Sequence, residues 1–191
     1  VMTTLCDHHL LEALEKGELE IDPFDPARLQ PSTVDLTLAD EWLQPLVYLP
    51  GDNRTLYSPP VSMLRSDGRF PEYQRSQFPR WLLGPGKFIL GRTVERVRIG
   101  SAFRARIEGK STLGRLGLLV HCTAGYIDPG FDGTVTLELL NVAPYSIELV
   151  AGEAVCQVAF EMLSGEPSRL YGSEGLGSHY QGQQAVTGAK L

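Results

Sequence analysis

Cysteine is scarce. Cys6, Cys122 and Cys156 are the three in 191 residues, too few and too far apart for a disulfide framework or a Cys-x-x-Cys metal pair. The sequence shows no charged-then-apolar leader, and no apolar run approaches the roughly 20 residues that span a bilayer. A soluble protein of the reducing cytoplasm, with no membrane contact, is the expectation. Positive charge is also in deficit: 17 Lys and Arg against 23 Asp and Glu leave a net charge of −6. That balance argues against a general nucleic-acid binder.

A hydrophobic content of 42% over this length allows one real core, so residues 1–191 are read as a single domain. Twenty Gly and thirteen Pro are spread along the chain, which suits many turns between short strands. The expected class is mainly β, a barrel or sandwich with short helices. "CDHHLLEALEKGEL" predicts one helix capped by Asp7, with Leu10, Leu11 and Leu14 on one face and Gly17 as its stop. His8 and His9 fall in its first turn, where neighbouring side chains diverge, so a shared metal is disfavoured and surface placement is expected. "STVDLTLADEWL" alternates Val34, Leu36 and Leu38 against Thr33, Asp35 and Thr37, a half-buried strand. Residues 45–80, rich in proline and without period, read as a long excursion with room for one hairpin. Strand signals return at Phe88 and Leu90 and are dense from 102 to 163. The Gly-rich polar tail has two readings, simple disorder or a segment that folds over a ligand.

Gly109-Lys110-Ser111-Thr112 looks like the end of a P-loop, but Arg104 stands where that motif requires its first Gly. The flanks fail as well, because the segment before it alternates like a strand and Gly114 and Gly117 interrupt any helix after it. The surrounding charge is still notable. Six cations (Arg96, Arg98, Arg104, Arg106, Lys110 and Arg115) face a single acid, Glu108, so a small polyanion is a sensible partner. Solvated strand faces are the preferred account of the first four. Lys110 and Arg115 are sharper candidates, since nearby glycines let backbone approach a ligand.

Two carboxylates stand out. Asp128, in "AGYIDPGFDG", is presented by a turn that Gly and Pro hold rigid, while Asp132 reads as a turn residue. Glu138 lies mid-strand in "TVTLELL", where Val135, Leu137 and Leu139 would take one face and Thr136, Glu138 and Leu140 the other. Such an acid is either solvated or deliberately enclosed, and enclosure would raise its pKa toward the range of a general base. Zinc deaminases of bases use His-x-Glu and Pro-Cys-x-x-Cys. Neither string occurs, and His121 and Cys122, neighbours on a presumed strand, would point to opposite faces.

"GKSTLGRLGLLVHCTAGYIDPGFDGTVTLEL", residues 109–139, resembles the signature region of the dCTP deaminase family. "GEAVCQVAF", the tail "YGS…HYQGQ", and "LCD" and "PSTVDLTL" near the start extend the likeness. The resemblance implies a dUTPase-like distorted β-barrel or jelly roll assembled as a homotrimer, with about 170–191 as a flexible lid. It implies Glu138 as the base that activates water for attack on C4 of cytosine. Ser111 and Arg115 would position water, base and phosphates, and Asp128 with the Thr136, Leu137 and Glu138 segment would contact the deoxynucleoside. Lys110, Thr112, Leu113 and Gly114 belong to the nucleotide-binding turn, and Gln157, Tyr171, His179 and Gln183 match phosphate or lid contacts. In a trimer these groups would meet across subunit boundaries.

Gly125-Tyr126 resembles members that convert dCTP directly to dUMP, pyrophosphate and ammonia, as bulkier polar residues there accompany deamination alone. The alternatives are a deaminase releasing dUTP, a plain dUTPase, or a non-catalytic nucleotide-binding trimer. Magnesium carried by the triphosphate is implied, with dTTP a candidate inhibitor and no zinc or other metal held by protein side chains. One departure stands in the tail. The family pattern has Lys where this chain has His179, and an unperturbed His is mostly neutral at pH 7. His179→Lys is expected to lower the KM for dCTP at pH 8 in steady-state kinetics, and an unchanged KM would count against a phosphate role at this position.

Overall fold

Alternation of apolar and polar residues, cut by Gly and Pro turns, folds the chain almost entirely into antiparallel strands. The computed structural model describes residues 3–46 and 72–190. In chain order these form β1 (Thr3–Thr4), α1 (Asp7–Glu15), β2 (Leu19–Asp22), β3 (Val34–Thr37), β4 (Glu41–Leu46), β5 (Glu72–Gln77), β6 (Arg80–Leu83) and β7 (Phe88–Ile99). There follow β8 (Phe103–Gly109), α2 (Ser111–Arg115), β9 (Leu118–Val120), β10 (Tyr126–Ile127), β11 (Asp132–Asn141), β12 (Ile147–Val150) and β13 (Ala154–Met162).

One sheet runs β1-β13-β8-β10 with β3 also on β13, and a second runs β5-β4-β7-β11-β9 with β2 on β7. A small β12-β6 pair completes the set. The inward faces of both sheets meet in one core that includes Leu36, Ile89, Val97, Leu137, Leu139, Val158 and Phe160. This is the mainly β, barrel-like architecture expected from the strand density. Of the stretch 45–80, residues 47–71 lie outside the described part. Its two ends pair with each other as β4 and β5, from Glu41 opposite Gln77 to Leu46 opposite Glu72.

Several local expectations need correction. Cys6, not Asp7, is the N-cap of α1, and the buried face is Leu10 and Ala13, with Leu11 exposed. His8 and His9 are exposed as expected, but their rings converge instead of diverging, with centroids 4.2 Å apart. Strand β3 is buried on both faces. Its polar residues are enclosed because each has a partner: Thr37 donates its N–H and hydroxyl to the Glu95 carboxylate, and Asp35 pairs with Lys110. His121 and Cys122 are not on a strand, since β9 ends at Val120 and His121 takes φ 61. Asp132 opens β11 and pairs with Arg96 at 2.6 Å, so it is more than a turn residue.

The cation stretch is largely consumed within the chain. Arg96 and Arg98 share Glu20, Arg104 pairs with Glu161, and Arg106 pairs with Glu108. Hydrogen bonds from Arg98, then Arg96, hold the Glu20 carboxyl below its ordinary range. A lowered carboxylate pKa stabilises the folded state above the unfolded value of about 4.3 and loses that contribution as pH falls through the lowered one. Glu20→Gln is therefore expected to reduce the melting temperature at pH 7, with the difference closing in acid below about pH 4. A difference independent of pH would contradict the ion-pair origin.

Strand β11 slips register against β7 between Thr134 and Thr136. The N–H of Val135 at this bulge donates to the buried Thr93 hydroxyl at 2.9 Å, and that hydroxyl donates to the Glu95 carbonyl. Thr93→Val keeps the shape but orphans a buried amide, which should cost about 2 kcal/mol in urea unfolding. Thr93→Ser, which retains the hydroxyl, should lose clearly less.

Candidate functional site

Beyond the bulge, β11 presents Thr136 and Glu138 on one face because Leu137 and Leu139 are fully buried on the other. Pairing holds this orientation from both sides, with Glu138 opposite Leu90 of β7 and Leu139 opposite Val120 of β9. Thr136 and Glu138 open into a cleft of about 410 Å³ whose wall also includes His121, Tyr126, Asp128, Tyr171 and Gln183. The structure thus brings together Thr136, Glu138, Asp128, Tyr126, Tyr171 and Gln183 from the residues singled out in the sequence.

The loop from 121 to 131 forms the opposite wall. The Gly125 carbonyl accepts from the Ile107 N–H at 2.8 Å, and a Cβ at position 125 would sit 3.0 Å from the Ile107 carbonyl. Absence of a side chain there lets β10 lie against β8. Tyr126 is then held at the rim, well exposed, with the Arg104 guanidinium 4.6 Å from its ring centre. Asp128 leads the Pro129-Gly130 turn, closed by the Phe131 N–H donating to the Asp128 carbonyl. At Gly130, φ is 90 and a Cβ would lie 2.7 Å from the Leu170 Cβ, so only glycine suits the site. The Asp128 carboxylate is exposed at the cleft edge on this rigid support.

The tail lies docked across the sheet. Gly182 donates to the Asp132 carbonyl, and the N–H of Thr134 donates to the Gln183 carbonyl at 2.9 Å. The side-chain amide of Gln183 donates to the Thr134 carbonyl, leaving its Oε1 buried without a partner beside the cleft. Val186 is fully buried against Leu43 and Leu90. Its N–H donates to Glu41 and its carbonyl accepts from Arg75, while Arg92 also binds Glu41 at 2.8 Å. The Thr187 N–H reaches the Thr136 hydroxyl at 3.3 Å. His179 is exposed and does not line the cleft, but the Lys190 ammonium donates to its carbonyl at 3.1 Å. A cation therefore stands beside the position where the sequence lacks one.

A second group lies apart from this cleft. Lys110 precedes the short helical turn α2, on which Ser111, Thr112, Gly114 and Arg115 are exposed while Leu113 packs toward the core. Lys110 is paired with Asp35, and Gln157 accepts from the Thr33 hydroxyl at 3.1 Å. None of these residues lines the Glu138 cleft. Arg115 has no ion pair among the described residues.

Sequence reasoning missed three contributors. His121 lines the cleft with its Nε2 2.6 Å from the Ala124 carbonyl and its Nδ1 buried without a partner. A His in a left-handed conformation carries no periodic signal, and a strand reading hides it. Glu41 and Tyr73 anchor the tail from the paired strands β4 and β5, the Tyr73 hydroxyl accepting from Ala189 at 3.1 Å. Nothing in their local pattern marks them. Near the cleft, burial raises the Cys122 thiol above its ordinary range, and the Glu138 charge adds to the effect.

A family model described as dCTP deaminase-like matches residues 4–163. A curated relative from Bifidobacterium longum (strain DJO10A), named dCTP deaminase, dUMP-forming, is 40% identical over 184 residues, covering 96% of this chain and 91% of its own. One of the same name from Tropheryma whipplei (strain Twist) is 43% identical over 183 residues, covering 96% and 90%. The solved 2'-deoxycytidine 5'-triphosphate deaminase of Agrobacterium tumefaciens superposes with a TM-score of 0.61 at 20% identity over 85% of this chain. That likeness concerns the fold, and this chain spans about half, 49%, of the solved chain.

The docked tail gives a direct expectation. Val186→Asp puts a charge into a fully buried apolar contact, so the tail should release and limited proteolysis beyond Tyr180 should accelerate by about tenfold or more. Unchanged cleavage would mean that Val186 does not hold the tail.

Proposed function

The chain belongs to the dCTP deaminase-like family, and on that premise we propose that it converts dCTP to dUMP, pyrophosphate and ammonia in the Glu138 cleft. The observation that carries the assignment of the site is the grouping of Glu138 and Thr136 with Asp128 and Tyr126 around one cleft that the tail borders. Dedicated relatives with dUMP-forming names at 40% identity support the overall reaction.

Glu138 takes a proton from water as its oxygen attacks C4 of the cytosine ring. It returns that proton to the ring nitrogen, then takes the remaining proton from the new C4 hydroxyl and passes it to the amine, so the C4–N bond breaks, ammonia leaves and a uracil ring remains. General acid-base help of this kind is worth about 10² to 10⁴ in rate. Asp128 then orients a second water toward the α-phosphorus, the bond to the bridging oxygen breaks, and pyrophosphate departs. Gly125 and Tyr126 keep the loop close enough to β8 for Asp128 to face the phosphate chain.

Ser111 and Arg115 lie on the exposed α2 face, away from the cleft. We infer that they serve the cleft of a second copy, in a homotrimer, together with Lys110, Thr112, Leu113, Gly114 and Gln157. Arginine suits that task because its planar fork of donors matches a phosphate or a carboxylate. The tail from about 170 onward acts as the lid: Tyr171 and Gln183 close one side, and the unpartnered Gln183 Oε1 faces the bound nucleotide. Magnesium fits this site as a cation carried by the triphosphate, since the exposed Asp128 carboxylate at the rim adds an oxygen donor of the hard type it accepts. When bound, it neutralises phosphate charge. dTTP, which presents the same triphosphate, is the candidate inhibitor, and the cytoplasm is the compartment proposed.

Incubation of the protein with dCTP and magnesium, resolved by anion exchange, should yield dUMP and pyrophosphate without accumulating dUTP. Glu138→Gln should reduce turnover by at least about 10²-fold. Accumulated dUTP would restrict the reaction to deamination and remove the role given to Gly125-Tyr126, and unchanged dCTP would leave a dUTPase or a non-catalytic nucleotide binder.

A further inference from the structure

The start of α1 carries a side-chain cluster that the nucleotide reaction does not use. Cys6 caps the helix in an extended conformation, φ −85 and ψ 171, with no hydrogen bond from its side chain to the helix amides. Its sulfur is free to face the two following imidazoles. Sγ lies 3.3 Å from Nδ1 and 3.6 Å from Nε2 of His8, and 3.2 Å from Nδ1 of His9. Helical side chains lean toward the N-terminus, so His8 and His9 both reach back over the cap residue and their rings meet at 4.2 Å. Among the described residues this is the one trio of metal-ligating side chains whose donor atoms all fall within 4.8 Å of one another.

We propose that Cys6, His8 and His9 bind a divalent cation of the zinc type, leaving a fourth position for water. Zinc–sulfur and zinc–nitrogen bonds at a tetrahedral angle put sulfur and nitrogen about 3.5 Å apart. The separations above bracket that edge before any ion is bound. One thiolate with two imidazoles selects a borderline-soft ion over magnesium or calcium, which take oxygen donors. Asp7 supplies a neighbouring carboxylate: its Oδ1 accepts from the His8 N–H at 2.8 Å and lies 3.4 Å from His8 Nδ1. A carboxylate beside a ligating imidazole orients the ring and raises its basicity.

The imidazoles are exposed and Cys6 is half-buried, so an ion enters from solvent and displaces the Cys6 proton as it binds. The site stands at a structural junction. Leu5 donates to the Phe160 carbonyl on β13, and Asp7 donates to the Pro31 carbonyl ahead of β3. A bound ion therefore stiffens the segment that makes these two contacts, adding its binding free energy to the folded state. It is independent of the Glu138 cleft, whose wall contains none of the three residues.

Cobalt(II) titrated into the reduced, untagged full-length protein provides the test. A thiolate-to-cobalt charge-transfer band with tetrahedral visible absorption should saturate at one ion per chain and disappear on adding zinc. Cys6→Ser should abolish the band and Cys122→Ser should leave it intact. His8→Ala and His9→Ala, both at exposed positions and checked for folding by circular dichroism, should each weaken binding by about tenfold or more. Absence of the band, its persistence in Cys6→Ser, or an affinity unmoved when both histidines are replaced would overturn the proposal.

Discussion

Everything at the cleft depends on the register of β11. Its side chains alternate with period two, so the burial of Leu137 and Leu139 obliges Thr136 and Glu138 to face the opposite way. A slip by one residue would send Glu138 into the core and expose two leucines, both costly. Pairing with β7 on one side and β9 on the other prevents that slip, and the Thr93 hydroxyl absorbs the one irregularity. The acid is thus placed by the core beneath it rather than by contacts of its own.

The same strand receives the tail. Gly182 and Gln183 bond to Asp132 and Thr134 at its start, and Thr187 reaches Thr136 further along. Docking of the tail is secured at the cleft's edge, by Val186 in its apolar pocket and by Glu41, which gathers Arg75, Arg92 and the Val186 amide. With the tail anchored there, Tyr171 and Gln183 line the cleft. The α2 turn, by contrast, sends Ser111 and Arg115 outward. In the assembly proposed above, the α2 turn of one copy would meet the Glu138 cleft of the next, a heterologous contact that closes into a ring.

Much of this is legible in the sequence, and the limits are physical. Alternation through 134–140 predicts both the strand and the face of Glu138, because half-buried strands write their geometry into a simple period. Gly125 and the Asp128-Pro129-Gly130 turn are equally readable, since glycine and proline mark backbone constraints directly. The period misleads at β3, where Asp35 and Thr37 look solvent-facing but are enclosed with Lys110 and Glu95, distant in sequence. It also misleads at His121, where one left-handed residue ends the strand. The cap of α1 is displaced by one residue, which hides the convergence of Cys6, His8 and His9. Long-range partners such as Glu41 for Val186 leave no local trace at all.

The central claim is that Glu138 of one copy works with Arg115 of another. Arg115→Ala and Glu138→Gln chains, each inactive alone, can be co-expressed with different tags and purified as mixed assemblies. If each site draws the two residues from neighbouring copies, a random equal mixture restores about one quarter of the wild-type activity, since half of the sites have an intact Glu138 and half of those an intact Arg115. No recovery in assemblies shown to contain both chains would place the two residues in a single chain and contradict the account.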